Sequence, residues 1–469
     1  MWKMYIMSTA DIRSVLRGGG DRFIYLTSAL AALNGLLFGF DTGIISGAFL
    51  YINDTFTMSP LVEGIVMSGA MAGAALGAAV GGKLADRLGR RRLILLGAGV
   101  FFVGSLTMAI APSVPVLVAG RLIDGVAIGF ASIVGPLYIS EIAPPRIRGA
   151  LTSLNQLMVT VGILASYFVN YAFADAGAWR WMLGTGMIPA VILAVGMLKM
   201  PESPRWLFEH GRKDEAEAVL QRTRQGDVDE ELEEIAETVS KQSGTGVREL
   251  LKPWLRPALI VGLGLAVFQQ ITGINAVIYY APTILESTGF GSTTSILATV
   301  GIGVINVVMT VVAIALIDRV GRRLLLQVGI GGMVVTLGVL GTVFYLPGFG
   351  GALGWIATAS LMLFVAFFAI GLGPVFWLLI SEIYPLAVRG SAMGTVTVAN
   401  WGANLLVSLT FPMLTAGVGK PSTFWLFGAC SLVALLFTYR LVPETKGRSL
   451  EAIEADLREN IGTPTEAAD

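Results

Sequence analysis

Long runs of apolar residues, separated by short polar segments, make up most of the chain. Twelve of these runs approach the roughly twenty residues that a helix needs to cross the hydrocarbon core of a bilayer. We therefore predict twelve membrane-spanning helices in two groups of six. The predicted spans are residues 23–47, 62–82, 93–111, 115–139, 151–173, 181–200, 258–281, 295–317, 324–346, 352–380, 391–416 and 422–442.

Composition agrees with a polytopic membrane protein. Apolar residues are 54% of the 469 residues and charged residues only 14%, whereas roughly 25% of residues are charged in an ordinary soluble protein. The net charge of zero indicates neither a nucleic-acid partner nor an acidic substrate. The single cysteine, Cys430, excludes an intramolecular disulfide framework. The single histidine, His210, lies in a charged segment where a solvated side chain is expected, so we expect no metal site and no cofactor.

Basic residues concentrate on one side of the predicted helices, in the loops after spans two, four, eight and ten. The loops on the opposite side contain almost none. Because short loops rich in Lys and Arg remain cytoplasmic, we place both termini in the cytoplasm and the chain in the cell (plasma) membrane. The basic loop residues are Lys83, Arg87, Arg90, Arg91, Arg92, Arg146, Arg148, Arg319, Arg322, Arg323 and Arg389.

The two groups of spans repeat the same short motifs, which indicates two homologous halves. GGKLADRLGRRRLIL (81–95) returns as IALIDRVGRRLLLQV (314–328), SEIAPPRIRG (140–149) as SEIYPLAVRG (381–390), and PESPRWL (201–207) as PETKGRSL (443–450). The predicted domains are a cytoplasmic N-terminal segment (1–22), a six-helix bundle (23–207), a cytoplasmic helical linker (208–252), a second six-helix bundle (253–442) and a cytoplasmic tail (443–469).

The paired motifs resemble those of the major facilitator superfamily, and within it the sugar porter family of bacterial proton-coupled xylose symporters and animal glucose facilitators. The resemblance covers residues 21–455. It implies an all-α polytopic membrane protein with twelve transmembrane helices in two pseudo-symmetric six-helix bundles. It also implies a secondary transporter rather than an enzyme, working as a monomer in the lipid bilayer, with a sugar and a proton as partners.

Acidic and basic residues of these motifs lie at the cytoplasmic ends of the helices. We predict that they form ion pairs that latch this end closed and break when it opens, as in families of this kind. Each exposed pair contributes only about 0–1 kcal/mol, which suits a latch that releases repeatedly. The alternative is that they only orient the chain and face lipid headgroups. The predicted latch residues are Asp86, Arg90, Glu141, Arg148, Glu202, Asp318, Arg322, Glu382, Arg389 and Glu444.

One carboxylate interrupts the first apolar run. Asp41 lies in GLLFGFDTGIISG (35–47), and an uncompensated charge at mid-membrane costs at least about 2.5–3.5 kcal/mol. Arg121 of the fourth run lies at a similar depth, because each residue is about six positions from the outer end of its helix. We predict that the two form an ion pair. A carboxylate that alternates between arginine and a proton can couple a gradient to conformation.

The resemblance supports this role, since proton-coupled members have an aspartate here and facilitators commonly have a neutral residue. The alternative is a permanently ionised pair that only fastens span one to span four. Asp124, one turn from Arg121 on the same helix, is not part of the family pattern. It is either a partner of Arg121 within the helix or a second titrating site.

Span seven, VFQQITGINAVIYYAP (267–282), carries the amides and aromatic rings that suit a neutral polyol. By resemblance its amides bind sugar hydroxyls and its two tyrosines help to close the outer gate, while further polar residues contribute from other spans and a glycine-proline motif bends the inner gate. For any one amide the alternative is an interhelical hydrogen bond, and for the tryptophans it is packing. The predicted binding residues are Gln156, Gln269, Gln270, Asn275, Asn306, Trp377, Asn400, Trp401 and Asn404, and the gating residues are Tyr279, Tyr280, Gly371, Gly373 and Pro374.

These features favour a secondary active transporter that imports a hexose or pentose with a proton by alternating access. Ile163 is apolar where relatives can carry a second polar residue, so the sugar stays open. A facilitative sugar uniporter of the same fold is the first alternative. A non-transporting sugar receptor is the second, although the tails carry no appended domain. No metal cluster, activated nucleophile or phosphate-binding loop indicates an enzyme.

Overall fold

The computed structural model describes residues 19–144, 147–224, 228–229, 231–233, 235–236 and 250–448. Arg146, part of the linker and the tail beyond residue 448 lie outside this description. The N-terminal half comprises α1 (Gly19–Thr55), α2 (Pro60–Leu88), α3 (Arg90–Ala109), α4 (Val114–Ile142), α5 (Arg148–Ala174), α6 (Trp179–Gly184) and α7 (Met187–Leu198). The helices α8 (Pro204–Glu209) and α9 (Lys213–Thr223) follow it in the linker region.

The C-terminal half starts with a single 3₁₀ turn, Pro253–Leu255. Its helices are α10 (Arg256–Ile271), α11 (Ile274–Glu286), α12 (Ser292–Val320), α13 (Arg322–Tyr345), α14 (Ala352–Ile370), α15 (Leu372–Ile383), α16 (Leu386–Gly417) and α17 (Gly419–Leu441). The pairs α6–α7, α10–α11 and α14–α15 each form one broken span.

In the described part of the chain, eleven stretches are long and apolar enough to cross a membrane. Each overlaps a predicted span. The remaining predicted span, 391–416, lies inside α16, which has 32 residues and is therefore about 48 Å long at 1.5 Å per residue. Its mean hydropathy is lowered by amides such as Asn400 and Asn404, which are buried inside the protein. The prediction of an all-α fold with twelve transmembrane helices in two six-helix bundles is confirmed.

Glycines allow the helices within the N-terminal half to approach closely. A Cβ at Gly39 of α1 would meet the backbone of Val159 on α5, and a Cβ at Gly125 of α4 would meet the backbone of Ala70 on α2. Membrane helices associate without a strong hydrophobic effect between them, so small residues at the contact supply the van der Waals packing. These contacts fix α1 and α4, the two helices that carry Asp41 and Arg121.

Two spans of the C-terminal half are broken at glycines. Gly273 separates α10 from α11 with φ at 90°, a left-handed conformation that favours glycine. Gly371 separates α14 from α15 and lies against the backbone of Gly329 on α13. Irregular backbone at membrane depth is tolerated where it is buried in protein or lines a cavity. Both breaks therefore mark the interior of this half.

The helices α8 and α9 define one side of the molecule, which we call the linker side, and we call the opposite side the far side. The two halves meet mainly on the far side. Tyr167 Oη of α5 donates to Ile278 O of α11 at 3.2 Å, and Thr293 Oγ1 of α12 donates to Asp175 Oδ1 at 3.0 Å. Gly64 of α2 faces the backbone of Leu409 on α16. These contacts close the space between the halves on the far side.

The linker-side part of α5 is packed differently from its far-side part. Residues 152–159 are all half-buried, whereas Ile163, Ser166, Tyr167 and Asn170 further along the same helix are buried. Neighbouring helices therefore cover the linker-side part of α5 less completely than its far-side part.

Candidate functional site

A buried ion pair joins α1 to α4 in the N-terminal half. Arg121 Nη1 donates to Asp41 Oδ1 at 2.5 Å. The side chains are 1% exposed for Asp41 and 0% for Arg121. The structure thus brings together the two residues that depth along the helices predicted as partners.

Other polar atoms of this cluster lack a hydrogen-bond partner within the described residues. They are Oδ2 of Asp41 and the Nε and Nη2 atoms of Arg121. Asp124, also 1% exposed, accepts a long hydrogen bond of 3.4 Å from Ser105 Oγ of α3 at its Oδ2, while its Oδ1 is unpaired. One guanidinium therefore shares a buried site with two carboxyl groups.

A network of amides lies where α10, α11 and α16 meet. Gln270 Nε2 donates to Asn400 Oδ1 at 3.1 Å, and Asn275 Nδ2 donates to Gln270 Oε1 at 2.6 Å. Asn400 Nδ2 donates to Gln269 Oε1 at 2.8 Å. Gln269 Nε2 donates to the backbone carbonyl of Leu372 at the start of α15, at 2.9 Å. Leu372 directly follows the break at Gly371, so the network also reaches the broken span.

The predicted gating tyrosines lie next to this network. Asn404 Nδ2 of α16 donates to Tyr279 Oη at 3.4 Å, and Tyr280 Oη donates to Ser408 O at 3.3 Å. The Tyr280 ring stands edge-on to Phe49 of α1 at a centroid distance of 5.9 Å. Both tyrosines are buried, so they belong to the closed far side and link it to the amides.

The remaining predicted binding residues lie on several helices. Gln156 on α5 and Trp377 on α15 are half-buried, and Asn306 on α12 is buried. Trp401 is 4% exposed and its Nε1 has no described partner, while its ring lies 5.4 Å from that of Phe38. Gly373 and Pro374 lie in the first turn of α15, directly after the break at Gly371.

Sequence reasoning missed two residues that border this space. Phe38 faces Trp401 from the other half, and its position one turn before Asp41 in α1 was the available signal. Asn155, next to Gln156, has a buried Oδ1 without a described partner, close to α1 and α4. The available signal was the pair of consecutive amides, Asn155 and Gln156. Consecutive side chains on a helix point in different directions, so Asn155 can reach neighbouring helices that Gln156 does not.

Six of the predicted latch residues form ion pairs, three in each half. In the N-terminal half Arg90 binds Glu141 through two hydrogen bonds of 2.9 and 3.0 Å, and Asp86 lies 3.4 Å from Arg90. The carboxylate of Glu202 accepts from the backbone N–H of Arg91 at 2.9 Å. Arg148 is exposed at the start of α5. These contacts fasten the linker-side ends of α2, α3 and α4 to one another.

The C-terminal half repeats the arrangement. Arg322 binds Glu382 at 2.9 Å and Asp318 at 3.0 Å, and Glu444 accepts from the backbone N–H groups of Arg322 and Arg323, each at 3.0 Å. Burial opposes the ionised form of Glu444, but these backbone donors, with that of Lys446, prevail and lower its pKa. The last predicted latch residue, Arg389, donates from Nε to Tyr384 O at 3.2 Å.

Comparison with known proteins agrees with this geometry. The family model for sugar (and other) transporters matches residues 27–457. The chain belongs to this sugar transporter family. It is 45% identical over 446 residues to a glucose transporter of Staphylococcus epidermidis, covering 94% of this chain and 99% of that protein. It is 43% identical over 432 residues to the galactose-proton symporter of Escherichia coli K12, covering 91% and 93% of the two chains.

The structure of this transporter also resembles solved structures of the family. The partially occluded inward-open conformation of the E. coli xylose transporter XylE superposes with a TM-score of 0.81 at 34% identity, covering 91% of this chain and 100% of that chain. The chain is therefore a multi-pass membrane transporter of the major facilitator superfamily and not an enzyme.

Proposed function

We propose that this transporter imports a neutral monosaccharide, a hexose or a pentose, together with a proton by alternating access. The observation that carries the proposal is the fully buried contact between Asp41 and Arg121. Relatives named for glucose, galactose-proton and D-xylose transport support the class of substrate and the coupling.

The chemistry of the pair accounts for coupling. An ionised Asp41 is compensated by Arg121 inside the membrane, and separation of the two leaves both charges unpaired at a cost of several kcal/mol. A proton on Asp41 removes one of these charges and so makes separation of α1 from α4 less costly. Protonation is thereby linked to the conformational change in which that separation takes place.

The amide network accounts for sugar binding. In the structure Gln269, Gln270, Asn275 and Asn400 satisfy one another. A sugar hydroxyl both donates and accepts, so it can replace these amide–amide contacts without leaving a buried group unpaired. The half-buried ring of Trp377 offers an apolar face for the C–H side of the sugar ring.

We further propose the orientation and the gates. The basic loops on the linker side support a cytoplasmic position for that side, both termini and the linker. In this proposal the protein is a monomer in the plasma membrane, and the conformation is inward-facing. Tyr279 and Tyr280 then contribute to the outer gate, and Gly371, Gly373 and Pro374 to the inner one. The ion pairs around Arg90 and Arg322 each join helices of one half and are intact in this proposed inward-facing conformation. They therefore do not break when the cytoplasmic side opens, and a latch function requires a further contact between the halves when that side closes.

Reconstituted vesicles with an imposed pH gradient test the coupling. Asp41→Asn should abolish uphill accumulation of labelled sugar and retain downhill exchange, because asparagine imitates the protonated carboxyl group. Asp54→Asn, at the exposed end of the same helix, serves as the matched control and should accumulate sugar normally. Accumulation by the Asp41→Asn variant, or wild-type uptake that ignores the pH gradient, would instead support a facilitative uniporter. A panel of sugars in the same vesicles identifies the substrate.

A further inference from the structure

Asp124 is a buried carboxyl group that the proposed function does not use. It lies one turn beyond Arg121 on α4 and is 1% exposed. The Cβ position of Gly104 on α3 would lie 2.5 Å from its Oδ1, so the side chain is pressed against the backbone of α3. Its described hydrogen bond is the 3.4 Å contact from Ser105 Oγ to Oδ2.

The charges around Asp124 do not balance if both aspartates are ionised. Asp41 from α1 and Arg121 from α4 itself face the cluster, and Tyr279 of α11 lies near the pair they form. α2 approaches at this level with Gly69 and Gly73, and α3 approaches with Ser105. With Asp41 bound to Arg121, an ionised Asp124 would be a second negative charge without a cation in a buried site.

Protonation of Asp41 creates the opposite problem. Arg121 cannot lose its charge, so it would remain as a buried cation whose partner had become neutral. The Nε and Nη2 atoms of Arg121 are already free of hydrogen bonds in the described structure, and Asp124 Oδ1, on the same helix, is also unpaired. Residues three apart on a helix are neighbours, so a rotation of the arginine side chain brings the guanidinium to Asp124.

We propose that Asp124 is a second proton-binding group and that it alternates with Asp41 as the carboxylate partner of Arg121. Asp124 is protonated while Asp41 holds the guanidinium, and it becomes the counter-ion of Arg121 when Asp41 takes up its proton. The inference rests on the proposed proton coupling and adds to it a carboxylate that keeps Arg121 paired when its bond to Asp41 opens.

The exchange balances in protons and in charge. Asp41 takes one proton from solution as its bond to Arg121 breaks, and Asp124 gives one proton up to water as its bond to Arg121 forms. When the first pair forms again, Asp124 receives the proton that Asp41 holds. The two carboxyl groups together carry one proton before and after each exchange, and the cluster stays neutral in both arrangements.

Infrared difference spectroscopy of the purified, folded protein tests the protonation of Asp124 without transport. The wild type at neutral pH should show the C=O band of a buried protonated carboxyl group, and Asp124→Asn should lack it. Asp214→Asn, an exposed position on α9, should keep the band. A spectrum without the band, or a band that survives Asp124→Asn, would overturn the proposal.

The pH profile of sugar uptake tests the exchange itself. Without Asp124 the guanidinium has Asp41 as its only carboxylate partner, so Asp124→Asn should move half-maximal uptake to a lower pH by at least one unit, a tenfold higher proton concentration. Ser105→Ala, which removes the donor to Asp124 and leaves both carboxyl groups, should shift the profile in the same direction by less. It also serves as the test if Asp124→Asn does not fold.

The two proposals fail in different ways. Profiles of both variants that coincide with the wild type would remove Asp124 from the mechanism and leave proton coupling through Asp41 intact. Wild-type uptake that ignores pH would refute the coupling, and with it the exchange, even if the infrared band of Asp124 is present.

Discussion

At the scale of single residues, the contact between Asp41 and Arg121 uses one hydrogen bond, although a carboxylate and a guanidinium can form two. The second carboxylate oxygen and two guanidinium nitrogens have no hydrogen-bond partner among the residues that the structure describes. A buried pair with this geometry gains less from association than a bidentate pair in the same place, because part of the desolvation cost is not recovered. It is therefore suited to open and close within a transport cycle.

The same reasoning applies to the amides. Gln270 is the centre of the network, since its side chain contacts Gln269, Asn275 and Asn400. Gln270→Ala removes the Nε2 donor group and the Oε1 acceptor from the proposed sugar site, and a net loss of about 0.5–1.5 kcal/mol for each of two hydrogen bonds predicts roughly fivefold to 150-fold weaker binding. Equilibrium binding of the labelled sugar measures this loss of affinity.

Gln221→Ala is the matched control for this prediction, because Gln221 is exposed on α9 and contacts only the neighbouring Glu217 among the described residues. The affinity of the Gln221→Ala variant for the labelled sugar should equal that of the wild type. Unchanged affinity of the Gln270→Ala variant, with normal membrane insertion, would assign Gln270 to helix packing alone.

Much at this scale could be predicted from the sequence, because a charge or an amide in an apolar run is conspicuous and its depth can be counted. The pairing of Asp41 with Arg121 followed from such counting. The mutual satisfaction of Gln270 and Asn400 did not, since it depends on how α10 and α16, far apart in the chain, are placed side by side. A choice between the two roles predicted for Asp124 likewise required the position of Ser105 in the structure.

At the scale of elements, two glycines let a distant carboxylate cap a helix. Gly89 precedes α3 with φ 96° and ψ 157°, and Gly321 precedes α13 with φ 104° and ψ 158°. A Cβ at Gly321 would lie 2.7 Å from the carboxylate of Glu444, and one at Gly89 would collide with that of Glu202. The absent side chain leaves room for an anion at the positive end of each helix.

Gly89→Ala should therefore destabilise the protein by about 1–3 kcal/mol, because this backbone region is open almost only to glycine and the new methyl group displaces Glu202. Thermal unfolding in detergent measures the loss as a lower melting temperature. Gly99→Ala is the control within the same helix, where a methyl group meets no neighbour, and it should leave the melting temperature unchanged or raise it. Equal melting temperatures of the two variants would refute the capping role.

The cap on α13 has a pH dependence of known sign. The pKa of Glu444 is lowered in the folded protein, so its stabilising effect is complete above the ordinary glutamate pKa of about 4.3 and is lost as the pH falls through the folded value. The difference in melting temperature between the wild type and Glu444→Gln should therefore be largest at neutral pH and shrink below about pH 4. A difference that is independent of pH would contradict this.

Sequence periodicity predicted the elements, whereas their interruptions are indicated only by single glycines and prolines. The glycine in the middle of span seven allows local unwinding, and the structure ends α10 and starts α11 at this Gly273. Apolar runs also underestimate helix length, since α1 covers Gly19–Thr55 where 23–47 was predicted. The ends of a helix outside the apolar run are stabilised by capping and packing, which the hydrophobic pattern does not record.

At the scale of the whole molecule, one side-chain contact that joins the halves on the far side can be tested directly. Asp175 follows α5 and Thr293 begins α12, and their side chains meet at 3.0 Å. With the native Cys430 replaced by serine, Asp175→Cys and Thr293→Cys together should form a cross-link that stops sugar uptake, because the halves can no longer part on this side. Reduction should restore uptake.

Each single cysteine variant is the control for the cross-link and should transport under oxidising conditions. Transport that continues in the fully cross-linked protein, measured on the same sample by mass spectrometry and uptake, would show that the far side does not open between α5 and α12.

The side on which the molecule is closed could not be read from the sequence. The same apolar faces and the same glycines serve every state of a transporter built from two bundles, and the states differ by only a few kcal/mol. The motif repeat predicted the two bundles because duplication is recorded in the residues themselves. The relative tilt of the bundles is not recorded in this way.

The breaks at Gly273 and Gly371 have a consequence for the order of events. In the proposed cycle, a span that is interrupted at a glycine can move one of its two segments before the whole bundle rotates. A substrate between α11 and α15 can then be enclosed on both sides before the next gate opens, and this prevents leakage of solutes or ions.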